Sequence, residues 1–294
     1  MRVTTLAAAA LFLAAACSQA RAPEARALLW KVSDADNSVY LLGSFHALRT
    51  TDYPLPTTVD AAFADAEALA FEVTPAEMES PELARQMLAA ARLPTGQTLS
   101  AVLPARTWKR LRDYCERTGK QPAAFEPFAP WFVSLSLTLA EMSRLGFDPA
   151  LGLDRHLMAR AADAAKPTSG LETAASQVRL LAGMPMATQH QFLDEFLDEA
   201  EDPKGSMDAL HASWRRGDAD AIEGAMVREL AETNADLYRR INVDRNQAWL
   251  PKLRAMLDTS GDDDTLVVVG ALHLVGKDGL VSQLKAKGYR VERL

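Results

Sequence analysis

Two histidines at opposite ends of the sequence stand in the same local pattern. His46 closes Gly43-Ser44-Phe45-His46 after the apolar run Tyr40–Leu42, and His273 closes Gly270-Ala271-Leu272-His273 after Val267–Val269. In each case a glycine lets the chain turn as a strand ends, and the imidazole follows three residues later. Glu72 comes directly after Phe71 in a third apolar run, where an unpaired carboxylate would be strongly disfavoured. It therefore needs a cation or hydrogen-bond donors. Two imidazoles and a carboxylate are a common ligand set for zinc or another first-row divalent ion, and an open coordination position would activate water. The bland readings stand beside this one. A single Gly-x-x-His is a frequent chance match, a strand-end histidine is often at the surface or hydrogen-bonded in a core, and Glu72 could simply pair with an arginine.

Arg245 shares a helical stripe with Ile241 and Trp249, so its cation points inward. There it could pair with Glu72, or clamp a substrate carboxylate or an oxyanion. Asn246 is its neighbour and joins it as a candidate. Glu172 and Asp154 have two readings each: site carboxylates, or residues of a first helical turn, where negative charge suits the helix dipole. His156, His190 and His211 belong to no repeated motif and are expected at the surface. Cys115 lies on a stripe with Trp108 and Leu111 and reads as a packed thiol rather than a nucleophile. The chain has no Gly-x-Ser-x-Gly elbow and no P-loop, which argues against a serine hydrolase or a nucleotide enzyme.

The elements that must position these residues are legible as patterns. Leu28–Val32 and Ser38–Gly43 read as strands joined by the polar turn Asp34–Asn37. A helix over Thr57–Glu67 and a strand over Ala68–Val73, stopped by Pro75, suggest a crossover and a parallel pair. From about residue 80 to 257 the pattern is mainly helical. Helices are expected over Pro104–Thr118 with Gly119 as cap, Pro130–Leu145, Asp154–Ala165 and Glu172–Ala182, with a short strand over Lys166–Leu171. Glu199–Ser206 reads as a loop, and Ile222–Leu257 as a long helical stretch broken near Asn242–Asn246. Thr265–Gly270 is β-branched and continuous, as in a strand buried on both faces. A helix over Leu280–Lys287 and a strand over Tyr289–Leu294 finish the chain. The expected fold is α/β: a central mixed, largely parallel sheet formed by both chain ends, with a large helical insertion. Parallel strands of such a sheet deliver the next few residues to its carboxyl edge, where ligands bind.

At 294 residues, with a formal charge of -7, the chain has no cationic field or basic stripe, and nucleic acid is not an expected partner. Met1-Arg2 followed by the apolar run Leu6–Ala16 is too short for a membrane span and reads as an export signal. With Cys17 placed before Ser18-Gln19, it resembles a bacterial lipoprotein signal, departing from the usual pattern at Ala14; an ordinary signal cleaved between Ala16 and Ala20 is the alternative. The lipoprotein reading implies a signal over 1–16, lipidation of Cys17, a tether over 17–27, and a periplasmic protein held to the outer membrane by its lipid alone. It also leaves Cys115 without an intramolecular disulfide partner.

The ordered set of Gly43–His46, Glu72, Gly152-Leu153-Asp154, Gly170-Leu171-Glu172-Thr173 with Gln177, Arg245-Asn246 with Trp249, and Gly270–Gly276 resembles the TraB/GumN family from about Leu28 to Val291. The resemblance implies one domain over 28–294, related to erythromycin-esterase and ChaN-like (EreA/ChaN-like) proteins and to the Tiki proteins. It implies a divalent-metal-dependent hydrolase, peptidase-like, with His46, His273 and Glu72 on an ion such as Mn, Co or Zn. Glu72, Arg245 and Asn246 would serve catalysis, and a peptide or glycan-related molecule would be the substrate. The alternative is a non-catalytic envelope protein that binds a peptide or glycan in the same cleft, in support of polysaccharide production or signalling.

Overall fold

The computed structural model describes residues 26–259 and 261–294. The export signal and Cys17 lie outside the described residues. The chain opens with the antiparallel hairpin β1 (Leu29–Ser33) and β2 (Ser38–Ser44). Its turn is closed by Asp34, whose carboxylate accepts the backbone N–H groups of Asp36 and Asn37, each at 3.2 Å. With β3 (Ala68–Phe71), β4 (Thr168–Gly170), β5 (Thr265–Gly270) and β6 (Arg290–Arg293), these form one sheet in the order β4-β3-β5-β2-β1-β6. The β4/β3, β3/β5 and β5/β2 pairs are parallel, and the β2/β1 and β1/β6 pairs antiparallel. The fold is mixed α/β, with a sheet built largely from the two chain ends and only the short β4 contributed from between.

The unbroken Val-rich β5 takes the central place that its pattern requires, buried from Leu266 to Gly270 between β2 and β3. Helix Thr57–Asp65 makes the crossover from β2 to β3, and helix Leu280–Ala286 leads from β5 to the edge strand β6. Helices Leu153–Asp163 and Asp244–Leu257 pack Leu157 and Leu253 into the sheet's core, a third apolar cluster gathers around Trp131 and Met184, and a second is built by other helices of the insertion. There Leu111 and Cys115 of helix Ala105–Thr118 meet Val133 and Leu137 of helix Pro130–Arg144 and Leu193 and Phe196 of helix Met186–Glu199. Cys115 is wholly buried, which raises its thiol pKa and suits a packing role.

Four expectations are corrected. Glu199–Ser206 is no loop: helix Met186–Glu199 is followed after three residues by helix Pro203–Arg215. Asp202 caps that helix by accepting the Gly205 N–H, and Pro203 occupies its first turn, so the Asp-Pro signal marks a helix start. The break in the long C-terminal helical stretch falls at Asn234, not at 242–246. Asn234 leaves helical geometry to cap the next turn, while Arg239–Val243 continues as a π-helical turn into helix Asp244–Leu257. His211 is buried rather than at the surface, hydrogen-bonded to Asp52 at 2.9 Å, and the same carboxylate receives Arg215 at 2.8 Å. Finally, neither Gly43 nor Gly270 adopts the left-handed backbone that favours glycine, and Gly270 has φ -51 and ψ 137. Their value is the space they leave for their neighbours.

Candidate active site

Since β2, β3 and β5 run parallel and adjacent, their C-terminal ends emerge together at one edge of the sheet. A methyl group placed on Gly270 would lie 3.2 Å from His46 Nε2, 3.3 Å from Glu72 Oε1 and 3.7 Å from His273 Cδ2. The three groups expected from the sequence thus surround one point, and the hydrogen atom of Gly270 keeps that point open.

Each histidine is oriented by its outer nitrogen. His46 Nδ1 stands 3.2 Å from Asp154 Oδ1 and 3.4 Å from Ser44 Oγ, leaving Nε2 to face the shared point. His273 Nδ1 donates to Asn246 Oδ1 at 2.7 Å, while the Asn246 amide nitrogen donates to the carbonyls of His273 and Asp278 and to Asn242 Oδ1. Asn246 is fully buried and stands behind the imidazole, where it fixes ring and tautomer without reaching the cleft. The π-helical turn before it brings Asn242, Arg245 and Asn246 to one inward side.

Arg245 ties the carboxylates together. Its Nη2 donates to Glu72 Oε2 and Glu172 Oε1, both at 2.5 Å, and its Nε to Glu172 at 3.0 Å. Nη1 donates to the Ile241 carbonyl at 3.2 Å and to His273 Nε2 at 3.0 Å, and the guanidinium lies 4.6 Å over the Trp249 ring. All its nitrogens are therefore engaged, and its first task is to hold Glu72 and Glu172 rather than to reach a substrate. Glu172 comes before helix Ala174–Ala182, capped by Thr173, so it is not a first-turn residue, and its carboxylate lies against Arg245 and Gln177. Asp154 is both: it lies in the first turn of helix Leu153–Asp163 and orients His46. Six of the seven candidates, His46, Glu72, Asp154, Glu172, Arg245 and His273, are brought together at the cleft, with the seventh, Asn246, behind them.

Residues that sequence reasoning did not single out as site groups complete the arrangement. Gln177 donates to Glu72 Oε2 at 3.2 Å and Glu172 Oε1 at 2.9 Å, and the Gly270 N–H donates to Glu72 Oε1 at 2.8 Å. Asn242 could have been found from its place one turn before Asn246. No sequence signal marks the Gly270 amide. Gly152 approaches the His46 carbonyl so closely that a Cβ there would stand 2.3 Å from the oxygen, which explains the small residue before Leu153-Asp154. Beneath the loop, Trp214 donates to the Gly43 carbonyl at 2.9 Å and packs against Phe45.

The charges of the site are set by these contacts. Burial alone would raise the Glu72 pKa, but Arg245 foremost holds it well below the usual carboxylate range. Burial lowers that of His273 to about 3, so the ring is neutral and its Nε2 is an acceptor. For His46, burial opposes charge, yet the hydrogen bond and charge of Asp154 prevail and raise the pKa to about 9. The ring is 62% exposed, so solvent moderates this shift. Three carboxylates face one guanidinium and the protonated His46 ring, which leaves a small excess of negative charge at this edge.

The model of the TraB/PrgY/gumN family matches residues 28–293. The chain belongs to the TraB/PrgY/gumN family. Among curated relatives, this TraB/PrgY/gumN protein is 25% identical over 246 residues to the uncharacterized protein YbaP of Escherichia coli (strain K12), covering 84% of this chain and 87% of the relative. It is equally similar to the uncharacterized protein YbaP of Shigella flexneri, with the same coverage. No solved structure matches the chain.

The donor set fits a divalent ion in kind: two imidazole nitrogens with their outer nitrogens held, one carboxylate oxygen, and net negative charge. Among the described residues no three such side chains are already drawn to ion-binding distance. Two things must yield to an ion: the Arg245 Nη1 contact on His273 Nε2, because one lone pair cannot serve both, and the proton that Asp154 helps to keep on the His46 ring.

Proposed function

We propose that this chain is a divalent-metal-dependent hydrolase of the bacterial cell envelope, peptidase-like in its chemistry and EreA/ChaN-like in its sheet-and-insertion plan. The observation that carries the reading is the meeting of His46 Nε2, Glu72 Oε1 and the His273 ring around the gap left by Gly270. His46, His273 and Glu72 would hold the ion, of Mn, Co or Zn type. Bound there, it would acidify water and polarise a carbonyl.

The chain's own residues do the rest. Asp154 keeps His46 turned with Nε2 inward, and Asn246 does the same for His273. Arg245 and Gln177 fix the far oxygen of Glu72, so that Oε1 alone faces the cleft, where it would serve either as ligand to the ion or as the base that takes a proton from water. Glu172 balances the guanidinium. When Arg245 Nη1 leaves His273, it becomes a donor available to a developing oxyanion. The export signal resemblance supports a periplasmic place, with Cys17 as lipid anchor and no other contact with the membrane; no helix among the described residues is long and apolar enough to cross one.

The test is metal analysis of the purified protein together with peptide-library cleavage under Mn, Co or Zn, beside His46→Ala and His273→Ala. Bound metal and cleavage, both lost in the variants, are expected. Absence of metal and of cleavage under all three ions would sink the reading and leave a binding protein for peptide or glycan.

A further inference from the structure

The cleft in front of His46 and Glu72 has a volume of about 280 Å³, room for roughly one or two amino-acid residues. Its far wall is unlike the catalytic side. Met78, Leu139, Pro149 and Met158 make it apolar, and Arg155 is the one arginine that lines it. Leu139 is 42% exposed, one of only three large hydrophobic side chains so open among the described residues. Together with Met78, Pro149 and Met158 it forms one apolar wall beside the polar groups of the site, as in pockets that bind nonpolar groups. Two flexible methionines next to it suit apolar groups of varied shape.

Arg155 adds the polar requirement. Helix Leu153–Asp163 presents Asp154, Arg155 and Met158 to the cleft. Arg160 of the same helix is bound to Asp60 at 2.6 Å, whereas Arg155 has no carboxylate within 4.0 Å among the described residues. A guanidinium at a cleft wall, unpaired and adjacent to an apolar surface, offers a two-pronged seat for a carboxylate.

We infer that the cleft recognises a C-terminal apolar residue of a short peptide, its free carboxylate on Arg155 and its side chain against Met78, Leu139 and Met158. This rests on the hydrolase reading for its reaction: water oxygen joins the acyl carbon beside His46 and Glu72, the C–N bond breaks, and the leaving amine takes the water proton. The released product is a single apolar amino acid or a very short fragment.

Binding decides the matter without turnover. N-acetyl-leucine, N-acetyl-leucinamide and N-acetyl-glycine are titrated against the full chain in the presence of a chelator, so that a carboxylate cannot report on an ion at the histidines. N-acetyl-leucine is expected to bind at least about tenfold tighter than either analogue. Arg155→Gln should abolish the preference over the amide, and Leu139→Ser should weaken the preference over glycine; both positions are exposed, and thermal unfolding verifies the fold. Equal binding of acid and amide, or an unchanged ratio in Arg155→Gln, overturns the inference even if internal peptide bonds are cut. The expected ratios with no hydrolysis would instead refute the hydrolase and leave this recognition standing.

Discussion

Arg245 is the residue on which the site's internal balance turns. It is buried between Glu72 and Glu172, and both carboxylates depend on it for their charge. Arg245→Met should destabilise the protein by about 3 kcal/mol, since removing one partner strands two carboxylates in a poorly solvated place. Adding Glu72→Gln should recover part of that loss, which denaturant unfolding of the single and double variants will read. His273 gives a pH signature. Its folded pKa, about 3, lies below the ordinary histidine value, so the unfolded chain binds the extra proton first as pH falls. Its contribution is complete above about pH 6.5 and is lost on acidification toward 3, with a slope approaching about 1.4 kcal/mol per pH unit. His46 is shifted the other way and is protonated in both states across that window, so it adds nothing there. Chelated protein should therefore lose stability more steeply between pH 6 and 4 than the His273→Gln variant; equal slopes would contradict the assignment of a neutral His273.

The strand ends and the loops after them convert sequence repetition into a site. Gly270→Ala keeps a backbone that alanine readily adopts, with φ -51 and ψ 137, but puts a methyl among His46, Glu72 and His273. The expected outcome is a folded protein, its melting temperature within a few degrees of the parent on the usual scale of small perturbations, that no longer retains a divalent ion in metal analysis. Gly152→Ala behaves differently, because its methyl meets backbone: the His46 carbonyl must move away from helix Leu153–Asp163. That should cost about 2 kcal/mol and loosen the Asp154–His46 contact, read as lower stability together with weaker ion binding. These two glycines also show how far a sequence can be read. The parallel strands, the crossover and the inward Arg245 are dictated by periodicity and β-branching. Asn234 as the helix break, Asp202-Pro203 as a helix start and the buried His211 are not, because each depends on a tertiary partner or on which of two local signals prevails. The Gly-x-x-His motif is legible, but its reason is not: the glycines answer to neighbours across the sheet, Gly43 to Leu28 and Ala271, Gly270 to the site itself.

At the scale of the whole molecule, the site is a meeting of six distant stretches of chain around the carboxyl edge of β2, β3 and β5, and helix Pro130–Arg144 of the helical cluster reaches its cleft through Leu139. The proposed anchor belongs to this scale. Cys17→Ser should release the protein from the membrane fraction or leave it unprocessed in cells, while metal content and peptide cleavage of the purified protein stay unchanged; retention of lipid labelling in that variant would refute the anchor. The strand order bears on the growing chain as well. β5 lies between β2 and β3 yet is made almost last, so a growing or truncated chain that stops before Thr265 has two unpaired strand edges facing each other and no His273. The sheet cannot close, nor the two histidines meet, until nearly the final residues arrive. If the chain is exported as proposed, one still in transit would therefore hold no complete site, and whatever the site does would begin only once the last strand is in place.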